Sequence, residues 1–180
     1  MKAPAGKHWK GCHWGSKFVF DWNGIKFFGG GSSRGLETSG MDVIIDCGAN
    51  LHATAEPGED GPPGLQKTIR IQWPDGGVPD LEGKDWRNLL GMLCQQKQSG
   101  RRGDLNVLVC CLGGHGRTGT ALAIFAALAG VEPEAPVVFV RRQYCPKAVE
   151  TKAQCAYIRA VRKRDSAGSG DSCESSLGWP

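Results

Sequence analysis

A chain of 180 residues is the size of one ordinary domain with tails, long enough to bury a core without disulfides or metals. With 40% hydrophobic and 22% charged residues it is not a disordered chain, a coiled coil or a collagen-like repeat, and its 27 glycines, about twice the usual share, imply many tight turns. The net charge of +4 suits an anionic ligand but is too small to argue for nucleic acid by itself.

Residues 1–16 form a polar segment in which His8, Trp9, His13 and Trp14 stand among lysines and glycines. Lys17–Asp21 and Ile25–Phe28 read as two short strands around Trp22-Asn23-Gly24, because Asn-Gly favours the positive φ values of a hairpin turn. Gly29 to Ser33 reads as a flexible loop. Met41–Cys47 is an apolar run bounded by turn residues, as in a strand buried on both faces. Residues 56–64 are Pro/Gly-rich loop, and Thr68–Trp73 alternates as a strand that breaks at Pro74.

Lys84–Gln98 places apolar residues at 86, 89, 90, 93 and 94, a helical stripe. Leu105–Cys110 reads as the most buried strand. The nearly all-apolar Thr118–Ala129 is the expected central helix. Pro133–Arg142 and Val149–Lys163 read as two more helices, with Pro133 in a first turn and Pro146 between the two. From Asp165 onward Ser, Gly and Asp dominate, so residues 165–180 are expected to be disordered. The expectation is one domain over 17–164 of α/β class, with a central, mostly parallel sheet flanked by helices on both faces. The longest apolar run, Ala121–Ala129, falls far short of the roughly 20 residues that span a bilayer. Met1–Gly15 has no apolar stretch of the kind a signal peptide carries.

The chemistry concentrates in Val109-Cys110-Cys111-Leu112-Gly113-Gly114-His115-Gly116-Arg117-Thr118-Gly119, which joins the most buried strand to the central helix. Glycines there let the backbone turn its N–H groups inward as a cup at a helix N-terminus, where the dipole favours an anion. Leu112, Gly113, Gly114, His115, Gly116 and Arg117 would hold a phosphate. A thiol among amide donors, a helix N-terminus and an arginine is expected to ionise readily, making Cys111 a nucleophile. The planar fork of Arg117 can take two phosphate oxygens, and the Thr118 hydroxyl can donate toward the thiolate. His115, mid-loop, either adds charge over the phosphate or points to solvent.

At these residues the chain resembles the cysteine-dependent protein tyrosine phosphatase superfamily, whose C-x5-R-[S/T] signature matches Cys111 to Thr118. Trp73-Pro74-Asp75 resembles its mobile acid-bearing loop, and Ala148 to Gln154 resembles the later segment that positions the hydrolytic water. The resemblance spans about residues 41–163, and the short length is similar to compact, dual-specificity members. It implies a phosphatase fold and a phosphocysteine intermediate on Cys111. It also implies a general acid at Asp75, a water held by Gln154 or Glu150, and no metal or cofactor; Asp80 and then Asp85 follow in the chain as rivals for the acid. The family usually carries His before the nucleophile, where this chain has Cys110.

The expected function is hydrolysis of phosphotyrosine, with phosphoserine and phosphothreonine as further targets, in phosphorylated proteins or peptides. The alternatives are the same chemistry on a phosphoinositide, an inositol phosphate or an RNA 5′-phosphate, or a phosphate-binding pseudophosphatase. Eight cysteines without a CxxC pair suit the thiols of a reducing cytosol, so the expected location is cytoplasmic. Cys47 or Cys110 could protect Cys111 as a reversible disulfide, with Cys47 the better placed. The clusters Arg101-Arg102, Arg141-Arg142 and Arg159 to Arg164 read as solvated faces or as guides for anionic substrates. His8, Cys12 and His13 match no standard zinc spacing.

Overall fold

A computed structural model describes residues 15–34, 36–48, 66–99 and 103–163. The N-terminal histidines and tryptophans, Cys12, the 56–64 stretch, Arg101, Arg102, Arg164 and the 165–180 tail lie outside the described residues.

The hairpin forms where Asn-Gly predicts it. Strands β1 (Lys17–Trp22) and β2 (Ile25–Gly31) pair antiparallel, with Trp22 opposite Ile25. Asn23 and Gly24 take φ of 51° and 76°. Strands β3 (Val43–Asp46), β4 (Lys67–Arg70) and β5 (Leu105–Cys111) complete a five-stranded sheet of order β1-β2-β5-β3-β4, parallel except at β1. β5 lies in the middle, which accounts for its near-continuous apolar sequence.

Four helices follow the expected order: α1 (Gly83–Gln98), α2 (Gly116–Leu128), α3 (Pro136–Gln143) and α4 (Lys152–Lys163). The α/β class and the mostly parallel sheet stand as expected. The helical cover is unequal. All four helices pack with Ile25, Phe27, Val43, Ile45, Val107 and Val109 on one face of the sheet. On the other face Ile44, Leu108 and Cys110 are covered by Phe28, Leu36 and Met41. Every residue of α2 from Gly116 to Ala126 is buried, as its sequence implies.

Several boundaries differ from expectation. Gly29 to Gly31 is not a flexible loop but the end of β2, in register with Val109 to Cys111. Its glycines serve close approach: a Cβ on Gly31 would stand 2.9 Å from the Gly113 carbonyl carbon. β4 stops at Arg70 because its partner β3 ends at Asp46. Trp73 then turns into the helical core, edge-on to Trp86 at 6.0 Å. α3 starts at Pro136, not Pro133, since a proline inside a helix clashes with the carbonyl four residues back, whereas at the first position it fits. α4 starts at Lys152, not Val149, because Val149 takes a left-handed φ of 61°. α2 begins at Gly116, two residues early, which places Arg117 and Thr118 in its first turn.

Candidate active site

The C-terminal edge of the sheet carries a cleft of about 350 Å³ lined by Cys111, Leu112, Gly113, His115, Gly116 and Arg117 from the β5–α2 connection. Asp75, Glu150 and Ser33 line it from three other segments. Chain segments distant in sequence thus converge on one point, at the strand ends where ligands of open parallel sheets bind.

Cys111 ends β5 with only 2% of its surface exposed. The Gly114 amide donates to its Sγ at 3.2 Å. The sulfur thus sits against a fixed backbone donor, in a cleft that Arg117 also lines. Gly114 holds φ of +72° and lies against the β2 backbone, so the loop can curl only because two glycine-bearing segments meet there.

Arg117 is nearly buried. Its Nη1 donates to the carbonyls of Gly48 and Trp73, each at 3.3 Å, and its Nη2 pairs with Asp75 Oδ1 at 3.0 Å. One arginine therefore joins the cup to the segment bearing the carboxylate. Trp73 Nε1 donates to Gly77 O at 2.9 Å, closing that segment into a small ring. The Thr151 hydroxyl donates to Gly76 O at 3.0 Å and Gln154 Nε2 to Gly77 O at 3.4 Å, fastening it to the start of α4. Asp75 lines the cleft, whereas Asp80 is exposed and is not among the lining residues.

Gln154 and Glu150 separate in position. Gln154 is fully buried, and its Oε1 accepts the N–H groups of Glu150 at 2.9 Å and Thr151 at 3.3 Å. Its amide is thus committed to bracing neighbouring backbone. Glu150 is exposed and lines the cleft, its carboxylate over Gly116.

Thr118 departs from expectation. Its hydroxyl donates to Gly30 O at 3.3 Å, not to the Cys111 sulfur, because the fully buried side chain faces β2. Cys110 lies on the far face of the sheet, with its thiol 3.8 Å from Ile45 O, and does not face the cleft. Burial pushes its thiol up, reinforced by the charge of Asp46. Cys47 shares the face of Cys111, and burial pushes its thiol well up.

His115 lines the cleft, and its Nδ1 lies 3.3 Å from the buried Cys145 Sγ. Sequence reasoning missed Cys145 and its neighbour Tyr144, whose hydroxyl donates to Gly114 O at 2.6 Å. The available signal was a Tyr-Cys pair at the end of a helix otherwise rich in valine and arginine. Arg141 proves to be structural, donating to the carbonyls of Ala148 and Val149 at 2.9 Å each. These bonds hold the strained Val149 just before Glu150. Among the described residues no three His, Cys, Asp or Glu side chains gather as a metal site, and no helix is long and apolar enough to cross a membrane.

Residues 81–172 match the family described as Swiss Army Knife protein, DSP-PTPase phosphatase domain. Two uncharacterized proteins of Methanocaldococcus jannaschii are similar. One is 39% identical over 97 residues, covering 54% of this chain and 60% of that protein. The other is 37% identical over 91 residues, covering 51% and 52%. The chain thus spans between half and three fifths of these relatives. Among solved structures, Tk-PTP in its active form aligns with a TM-score of 0.58 at 19% identity, covering 83% of this chain and 97% of that one. Human DUSP28 aligns with a TM-score of 0.59 at 14% identity, covering 85% and 99%. At such identities the likeness is one of fold.

Proposed function

The chain belongs to the Swiss Army Knife DSP-PTPase phosphatase family, and on that premise we propose that it hydrolyses phosphate monoesters, with phosphotyrosine in proteins or peptides as the favoured substrate. The observation that carries this reading is the buried Cys111 sulfur, which accepts the Gly114 amide within a cleft shared with Arg117 and Asp75.

Arriving phosphate competes with Asp75 for Arg117. The Asp75 side chain is 89% exposed, so its ion pair is worth only ~0–1 kcal/mol. A phosphate dianion that takes both arms of the guanidinium and the loop amides binds more strongly. It displaces the carboxylate, which takes a proton from solvent as it leaves Arg117 and moves toward the leaving oxygen. Cys111 sulfur then attacks phosphorus in line, the ester P–O bond breaks, and protonated Asp75 gives its proton to the departing oxygen. Phosphocysteine results. Water next attacks phosphorus, Asp75 takes its proton, the S–P bond breaks, and phosphate leaves. Glu150, which faces the cleft, holds that water, while Gln154 fixes the backbone that carries Glu150.

The rim supports an aryl monoester over a polyanion. Leu112 is 54% exposed beside the nucleophile and offers apolar contact to a ring. Glu150 repels a second phosphate on the same ligand. A cytoplasmic setting belongs to the same proposal, since the nucleophile must stay reduced.

The test is a panel of phosphotyrosine, phosphoserine and phosphothreonine peptides, phosphoinositides and 5′-phosphorylated RNA, assayed with wild type and Cys111→Ser. Turnover highest on phosphotyrosine and absent in the variant is expected. Preference for a phosphoinositide or an RNA end would overturn the substrate assignment. Anion binding without turnover on any member would overturn the enzymatic reading.

A further inference from the structure

We infer that Tyr144 is a positioning residue of the phosphate loop, holding the Gly114–His115 peptide so that its N–H faces the bound anion. The inference rests on reading residues 111–117 as an anion cup.

Between Cys111 and Arg117 the loop has little means of holding itself. Three of its five intervening residues are glycines, and Leu112 is exposed. Its shape must therefore come from outside. Tyr144 follows α3 directly, is 1% exposed, and donates its hydroxyl to Gly114 O at 2.6 Å. In a trans peptide the carbonyl and the following N–H point in opposite directions, and no cis peptide bond occurs among the described residues. Drawing the Gly114 carbonyl toward the core thus turns the His115 N–H away from it, toward the cleft. The Gly114 N–H already meets Cys111 Sγ there.

Tyr144 is itself held at three points. Its N–H bonds Val140 O at 2.9 Å, and its carbonyl accepts from Lys17 Nζ at 2.6 Å. Its ring occupies the space left by Gly29, where a Cβ would come within 2.6 Å of Cε2. The next residue grips the same dipeptide. Cys145 Sγ accepts the Lys147 N–H at 3.4 Å and contacts His115 Nδ1 at 3.3 Å. Consecutive residues thus hold the main chain and the side chain of one loop step. This use of the Gly29 gap explains a glycine that the hairpin alone does not require.

Tyr144→Phe removes one oxygen and keeps the ring. Tyr157→Phe is the matched control, since the Tyr157 hydroxyl is half-buried, donates to Leu81 O at 2.6 Å just before α1, and does not line the cleft. Two readouts that need no turnover are the dissociation constant of vanadate and the rate of iodoacetamide attack on Cys111, followed by peptide mass mapping at neutral pH. Tyr144→Phe is expected to weaken vanadate by about tenfold and slow alkylation several-fold, with a melting temperature lowered no more than in Tyr157→Phe. Tyr157→Phe is expected to lower the melting temperature and leave both readouts unchanged. Vanadate affinity and alkylation within twofold of wild type in Tyr144→Phe would overturn the inference, as would equal losses in Tyr157→Phe. Should the affinities split as expected while wild type hydrolyses no ester, the positioning role stands and the proposed activity falls.

Discussion

At the residue scale the proposed chemistry rests on one carboxylate that serves two partners in turn. Asp75 pairs with Arg117 at 3.0 Å, and phosphate must take its place. Asp75→Ala should lower kcat on p-nitrophenyl phosphate by roughly 10²–10⁴, because the leaving oxygen loses its proton donor. Asp80→Ala should leave kcat unchanged; the reverse pattern would move the acid to Asp80. Glu150→Gln should slow the second step more than the first. In rapid-mixing assays it should then release a burst of nitrophenol and accumulate phosphocysteine, whereas equal slowing of both steps would remove Glu150 from the water's position.

Elements set the precision of these residues. β2 and the β5–α2 loop touch backbone to backbone, and a Cβ on Gly31 would stand 2.9–3.0 Å from Gly113 and Gly114 atoms. Gly31→Ala should therefore cost about 1–3 kcal/mol in denaturant unfolding and weaken vanadate as well, since the strain falls on the loop itself. Between α1 and α4, Trp86 donates to the Tyr157 hydroxyl at 2.7 Å, and that hydroxyl donates to Leu81 O. Tyr157→Phe leaves both groups without this partner and should cost ~1–3 kcal/mol. Burial is the main reason the Tyr157 phenol is raised above its ordinary value of 10.0, with Asp85 and Asp80 adding to it against the Trp86 hydrogen bond. A raised folded value means the contribution is fully present below pH 10.0 and is lost as pH climbs through the folded value. Alkaline unfolding followed by circular dichroism should show that loss in wild type and not in Tyr157→Phe.

Over the whole molecule, legibility followed the range of the interactions involved. Asn23-Gly24 announces a hairpin because the turn's φ values are a local matter. Leu105–Cys111 and α2 are legible because burial on all sides leaves an unbroken apolar run. Cys111, Arg117 and the glycines between them are expected in one loop, and all but Gly114 line one cleft. Gly29 to Gly31 was misread because glycines that admit another segment look, in sequence, like glycines that confer flexibility. The Thr118 hydroxyl was misassigned for a similar reason, since only the packed sheet brings Gly30 O within reach. Tyr144 was invisible, being 30 residues from the carbonyl it holds. In the proposed scheme a sulfur nucleophile and an aspartate acid account for both steps, so activity should persist through exhaustive dialysis against a chelator. Loss that a divalent cation restores would contradict the scheme.

The most direct trial of the central claim is to quench the enzyme in acid during turnover of p-nitrophenyl phosphate and map its peptides by mass spectrometry. A phosphoryl group on the peptide bearing Cys111, absent from Cys111→Ser, is the predicted result. A phosphoryl group on any other residue, or undiminished hydrolysis by Cys111→Ser, would contradict it.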